Sequence, residues 1–197
     1  MNLHAHPELD LMPPPFAEGL DDWSRGDGTP DSPTYAAAEN ARLVRGDADF
    51  GICLELRTTA PVARLRYMGE LPLLTGAFVE VSARVKALRG PLPRVQVAGW
   101  PGALGGKGVP DLPIAGPVLA LAGHETVAEV RAVIGREAQI GVDLVWDLRA
   151  LYGHVGIDLL GPPGAVVRIE NLAVRDVTRR FTPQGRVLPG FEDFSGA

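Results

Sequence analysis

The sequence predicts an all-β fold, a sandwich or barrel of short strands. Three observations carry this. Apolar and polar residues alternate at period two in several separate stretches. The 24 glycines and 18 prolines are spread between those stretches as punctuation. No segment sustains a helical period, and the strongest candidate, Thr34 to Leu43 with its run of three alanines, is short.

Taken in order, Phe16–Trp23 reads as a short strand followed by a tight acidic turn around Asp21 and Asp22, with Trp23 packing beneath the turn. Gly26 to Pro33 is a loop by its turn chemistry. Ile52, Leu54 and Leu56 alternate with Cys53, Glu55 and Arg57. From Val79 to Ala87, Val, Val, Ala, Val and Ala alternate with Glu, Ser, Arg and Lys, which predicts a half-buried strand. Gly99 to Pro117 reads as one long Gly/Pro-rich loop. Val142, Leu144, Trp146 and Leu148 predict a further strand with Trp146 in the core. Tyr152–Leu159 and Val166–Val174 predict a closing hairpin. The last strand changes phase, since Val167 and Ile169 are followed by Leu172 and Val174. One extra residue at Glu170-Asn171 predicts a β-bulge or tight bend.

Tails flank this region. Residues 1–15 end in Pro13-Pro14-Pro15, which favours extended backbone, and carry Leu3, Leu9, Leu11 and Met12. That content predicts an arm that docks on something. Residues 179–197 hold Phe181, Phe191 and Phe194, half of the six phenylalanines, with Val187 and Leu188. Either this tail folds back on its own sandwich or it is a docking arm for another subunit. The domain reading is a sandwich over 16–178 between two arms.

Bulk properties exclude several classes. A length of 197 residues with 46% hydrophobic content is a globular chain with a real core. A net charge of −5 with scattered Lys and Arg argues against a nucleic-acid partner. One cysteine, Cys53, excludes an internal disulfide and a Cys-rich zinc site, and reads as a small buried residue. The sequence shows no signal peptide and no apolar run near the ~20 residues of a membrane span, so the expectation is synthesis in the cytoplasm and no membrane partner.

No catalytic constellation is visible. Gly105-Gly106-Lys107-Gly108 fails as a phosphate loop because Pro101 and Gly108 stand where Gly and Ser/Thr belong. No nucleophile elbow exists, His4 and His6 lie in a tail, His124-Glu125 lies in a turn, and His154 and Asp158 share a strand face but sit too far apart for contact. A sugar site needs an aromatic platform with polar groups for hydroxyls. Trp100 and Tyr152 are the surface aromatics, and Arg84, Gln96, Arg64 and Arg66 alternate outward. A solvated sheet face is the plainer reading of those four.

Phe16–Trp23, Val81–Ala87, Val95–Trp100 and Tyr152–Val177 together resemble a carbohydrate-binding-module type of sandwich, of the kind found in head-spike proteins of alphaproteobacterial gene transfer agents and related phage-like particles. The resemblance implies a jelly-roll-like antiparallel β-sandwich with extended N- and C-terminal arms. It implies a structural calcium site near the first and last strands, to which Glu18, Asp21 and Glu170 would contribute. Many relatives read Ile-Asp-Asp where this chain has Ile169-Glu170-Asn171, which weakens that expectation.

In relatives a large β-helix follows the module, and here the chain ends about twenty residues after it. The resemblance therefore implies a non-enzymatic head-spike base, assembled in a virion-like particle as a homo-oligomeric ring and released with it. Its partners would be a capsid protein at a vertex, a spike fibre protein and a capsular polysaccharide. Leu9, Leu11, Phe181, Phe191 and Phe194 would act as docking residues. The alternative is a carbohydrate-binding module for a cell-envelope polysaccharide, using Trp100, Tyr152, Arg84 and Gln96.

Overall fold

The computed structural model describes residues 9–11, 23–24, 41–72, 78–102, 114–135, 137–146 and 152–181. They form twelve strands and one helical turn: β1 (Leu9–Asp10), β2 (Trp23–Ser24), β3 (Ala41–Arg45), β4 (Ile52–Arg57), β5 (Val62–Pro72), β6 (Val79–Arg89), β7 (Arg94–Gly102), β8 (Ile114–Ala120), β9 (Val127–Gly135), β10 (Leu144–Val145), β11 (Tyr152–Leu160), β12 (Val166–Asp176) and α1 (Thr178–Phe181). The result is the expected all-β sandwich of jelly-roll type.

Two sheets face each other. Sheet A runs β10-β9-β6-β12-β4-β3, with β1 added on β12. Sheet B runs β2-β5-β11-β7-β8. All pairings are antiparallel except β10 on β9. The closing hairpin expected from Tyr152–Leu159 and Val166–Val174 does not form, because β11 and β12 enter opposite sheets and each becomes a central strand of its own. β11 sits between β5 and β7, and β12 between β6 and β4.

The period-two pattern decides which residues meet between the sheets. Val81, Ala83, Val85, Val167, Ile169, Leu54 and Leu56 point inward from sheet A, against Leu65, Val95, Val97, Val155, Ile157 and Leu159 from sheet B. Each is at most 1% exposed. A fully buried side chain of this size contributes about 1.5–3 kcal/mol, so this layer holds the two sheets together.

The phase shift has the expected cause. The β12–β6 register slips between Glu170 and Ala173, and Asn171 takes φ +50°. Asparagine tolerates that left-handed conformation better than most residues. Beyond the bulge, Leu172 and Val174 return to the core at 1% exposure.

Other sequence readings are refined by the structure. The loop read as Gly99 to Pro117 is shorter, because β7 extends to Gly102 and β8 starts at Ile114. Gly99 and Pro101 are held opposite Val155 and Gly153 by the β11 ladder. Of the strand expected from Val142 to Leu148, Leu144–Val145 pairs with β9 among the described residues, and Trp146 is buried as foreseen at 1%. The stretch from Thr34 to Leu43, read as too short to sustain a helix, is a strand from Ala41 onward, since Leu43 and Ala41 pack on the core beside β4. The polar face expected to be solvated is partly buried, as described below.

The nearer parts of both arms lie on the sandwich itself. Leu9–Asp10 pairs with Arg175–Asp176, and Leu11 packs against the core. Phe181 stacks on Phe78 with ring centroids 4.5 Å apart, beside Val133, Val142 and Val177. Phe191 and Phe194 lie outside the described residues.

Candidate functional site

The outer face of sheet B gathers the polar residues that the sheet interior rejects. Strand alternation sends Arg64 and Arg66 outward from β5, His154, Gly156 and Asp158 from β11, and Arg94, Gln96 and Ala98 from β7. Register lines them up in rows across the strands. Arg64, Asp158 and Gln96 form one row, Arg66, Gly156 and Ala98 the next. In a third row, His154 stands opposite Trp100. Neighbouring strands lie about 4.8 Å apart, so each row spans a length comparable with two sugar rings.

The first row is anchored by a two-point ion pair. Arg64 Nε donates to Asp158 Oδ1 at 2.9 Å, and Nη2 donates to Oδ2 at 3.0 Å. Such forked pairs fix both groups in one geometry. Contrary to expectation, this is not a solvated face at its centre. Asp158 is 3% exposed, Arg66 7%, Arg64 9% and Ala98 0%. The rim is open, with Arg94 exposed, Val118 exposed, and Gln96 and His154 half-buried. Gly156 forms the floor. A Cβ there would lie 2.0 Å from the Leu65 carbonyl oxygen and 2.8 Å from Arg66 Cα, so only glycine lets β11 approach β5 this closely.

Sheet A's outer face is different, because its charges answer one another. Lys86, 1% exposed, reaches Asp47 at 2.6 Å, Asp49 at 3.2 Å and Glu125 at 3.5 Å. Arg168 shares Asp47 at 2.7 Å, and Arg42 holds Glu55 at 2.6 Å. Burial works against the charge on Lys86, but its hydrogen bonds to Asp47 and Asp49 outweigh burial and raise its pKa. The Lys86 ammonium, aided by the Asp49 N–H, holds the Asp47 carboxyl far below the usual carboxylate range. Arg42 lowers Glu55 in the same way, and burial pushes the Cys53 thiol up. Phe50 is trapped beneath this layer, with Arg84 5.0 Å and Lys86 5.2 Å from its ring centre.

The structure separates residues that the sequence reading grouped. Gln96 and the backbones of Trp100 and Tyr152 belong to sheet B, with Tyr152 opposite Gly102. Arg84 belongs to sheet A, where Nη1 binds Glu170 Oε2 at 2.8 Å. It therefore cannot share a surface with the other three. The side chains of Trp100 and Tyr152 lie outside the described residues. Glu170 also accepts from the Gly51 N–H at 2.5 Å, while Glu18 and Asp21 lie outside the described residues.

The sequence reading missed Asp158 as a buried partner of Arg64. It also missed the Lys86 cluster. In both, outward phase was taken for exposure.

Comparison with solved structures places the fold among carbohydrate-binding β-sandwiches. The chain is similar to the C-terminal family 22 carbohydrate-binding module of Clostridium thermocellum Xyn10B, at 12% identity and TM-score 0.53, covering 85% of this chain and 94% of that one. It is similar to a family 22 xylan-binding domain formerly called x6b, at 12% identity and TM-score 0.54, covering 86% and 96%. The tandem family 22 modules of Paenibacillus barcinonensis Xyn10C match at 12% identity and TM-score 0.54, covering 87% of this chain and 44% of theirs. No family model matches the chain, and no curated protein matches it by sequence. At this identity the likeness defines the fold: a β-sandwich of the carbohydrate-binding-module type.

Proposed function

We propose that this chain is a non-enzymatic glycan-binding sandwich that contacts polysaccharide through the outer face of sheet B. The observation that carries the reading is the row Arg64–Asp158–Gln96 beside the Gly156–Ala98 floor. Arg64 and Asp158 are locked together and set a rigid base. Gln96 and His154, half-buried at the rim, offer donors and acceptors to sugar hydroxyls. Xylan binding by modules of similar fold supports the reading. The test is calorimetric titration with xylan, β-glucan, galactan and envelope polysaccharide. Binding should weaken at least tenfold in Gln96→Ala and His154→Ala. Absence of binding by the unmodified protein to all four would sink the proposal.

A role in a phage-like particle is the second reading, supported by the sequence resemblance and by the apolar content of residues 182–197. Deleting those residues and imaging the particles tests it, since spikes should be lost. A calcium site would require Glu170 to release Arg84, and would appear as a rise in Tm on adding calcium.

A further inference from the structure

Four turns cross between the sheets at one end of the sandwich: 58–61, 90–93, 121–126 and 161–165. Three of them form a single tip. The Thr58 N–H donates to the Ala165 carbonyl at 2.9 Å, the Gly164 N–H to the Thr58 carbonyl at 2.8 Å, and the Gly161 N–H to the Pro61 carbonyl at 2.9 Å. A Cβ on Gly90 would meet the Gly164 carbonyl, so turn 90–93 lies against turn 161–165. These three turns hold five prolines and no charged residue. Proline has no N–H to satisfy, and three of the N–H groups that remain are bonded within the tip. Pro61, Pro91, Pro162 and Pro163 are exposed, and Leu92 is 40% exposed. An apex of this kind leaves water with little loss of hydrogen bonding.

Three arginines stand around the apex. On sheet A, Arg57 and Arg89 both pair with Val166, one on each side. Two strand spacings separate them, about 10 Å. On sheet B, Arg94 follows turn 90–93 directly, opposite Leu160. All three are exposed, and none makes an ion pair among the described residues. The nearest acids are already answered. Glu125, in the fourth turn, faces Lys86 at 3.5 Å, Glu55 is held by Arg42 and Arg168, and Asp158 by Arg64. A chain of net charge −5 thus gathers uncancelled positive charge at one end.

We propose that this tip docks on an anionic phospholipid surface. The apex would enter the headgroup layer, and the arginines would meet phosphates around it. Charge complementarity calls for an anionic partner. The donor-poor apex suits lipid better than glycan, whose hydroxyls need polar partners. The arginines belong to sheets about 10 Å apart, so a planar surface reaches both shoulders, whereas a compact acidic partner reaches one. No helix among the described residues is long and apolar enough to cross a membrane, and a tip that rests on a surface needs none.

The test uses the full chain and two kinds of vesicle: phosphatidylcholine alone, and phosphatidylcholine mixed with phosphatidylglycerol. Co-sedimentation should show at least tenfold tighter binding to the mixed vesicles, weakening as salt is raised. Arg57→Gln with Arg89→Gln changes two exposed side chains, so it should leave Tm unchanged and remove at least tenfold of that binding. Cys53 is buried, so a polarity-sensitive dye can be placed at Leu92→Cys or, at the opposite end of the sandwich, at the fully exposed Ile140→Cys. The Leu92→Cys label should shift to the blue on mixed vesicles, and the Ile140→Cys label should not. Equal binding to both vesicles, no binding to either, or an equal shift at the two labels would overturn the proposal. So would binding of soluble polyglutamate or polygalacturonate as tight as that of the mixed vesicles, which would mark the partner as an acidic protein or glycan.

Discussion

Arg64 on β5 and Asp158 on β11 meet directly across the sheet, through bonds of 2.9 and 3.0 Å, with side chains only 10% and 4% exposed. An outward-facing pair this well covered is a structural element as well as part of a candidate site. Breaking a buried pair by removing one partner leaves the other charge uncompensated, at about 3–5 kcal/mol. Asp158→Ala should therefore lower the unfolding free energy from urea titration by that order. The double change Arg64→Met with Asp158→Leu should recover most of the loss, because two apolar groups need no partner. Equal loss in single and double variants would contradict this account.

The Lys86–Asp47 clasp sets a pH dependence with a definite sign. Asp47 has its folded pKa depressed below the ordinary 3.8, so its contribution is full above that value and is lost as pH falls below it. Lys86 has its folded pKa raised above 10.5, so its contribution is full below that value and is lost as pH rises past it. Denaturation midpoints should be flat with respect to this pair from pH 5 to 9 and fall between pH 4 and 2. Asp47→Asn should flatten the acid limb. An unchanged limb would show that other carboxylates cause the loss.

Two glycines should resist replacement for different reasons. Gly156→Ala drives a methyl group into the Leu65 carbonyl and toward Arg66 Cα, and this β5 backbone cannot swing aside as a side chain would. A loss of roughly 3 kcal/mol or more is expected, as for other overpacked sites. Gly90 has φ +84° with the Gly164 carbonyl in the way, so Gly90→Ala adds conformational strain to the clash. Thermal unfolding of each variant checks both.

Phe181 stacks on Phe78, and α1 is further tied by Arg180 Nη1 to Glu80 Oε2 at 2.5 Å. Phe181→Ala should cost on the order of 1–3 kcal/mol, since the ring is half-buried rather than fully enclosed. Amide exchange at Phe78 should rise with it, because the Phe78 N–H bonds Thr178 Oγ1. No change at Phe78 would mean that α1 is not held by this contact.

Pro117 blunts the β8 edge, where Ala115, Val118 and Ala120 are exposed and the strand has no charged residue. Pro117→Thr restores a backbone donor and a strand-forming side chain. Sedimentation velocity should then show more self-association than in the unmodified chain at the same concentration.

The legible part of the site followed from local pattern. Phase along β11 correctly put His154 and Asp158 on one face, and phase along β7 put Gln96 outward. What phase cannot show is which sheet a strand joins. Arg84 and Gln96 both point outward, but β6 and β7 belong to opposite sheets, so the two residues end on opposite surfaces. Nor does phase reveal cover. Asp158 and Lys86 face outward and are nonetheless buried, because burial depends on what crosses over a strand.

The sequence alone determined the all-β class, the strand faces, the core positions and the bulge at Glu170-Asn171, because period two and turn chemistry are properties of the local chain. The tertiary structure decided the rest. It seated Leu9–Leu11 and Phe181 on the sandwich, joined Arg64 to Asp158 over 94 residues of sequence, and closed three acids around Lys86. Those outcomes depend on long-range strand pairing and on desolvation, which no local pattern encodes.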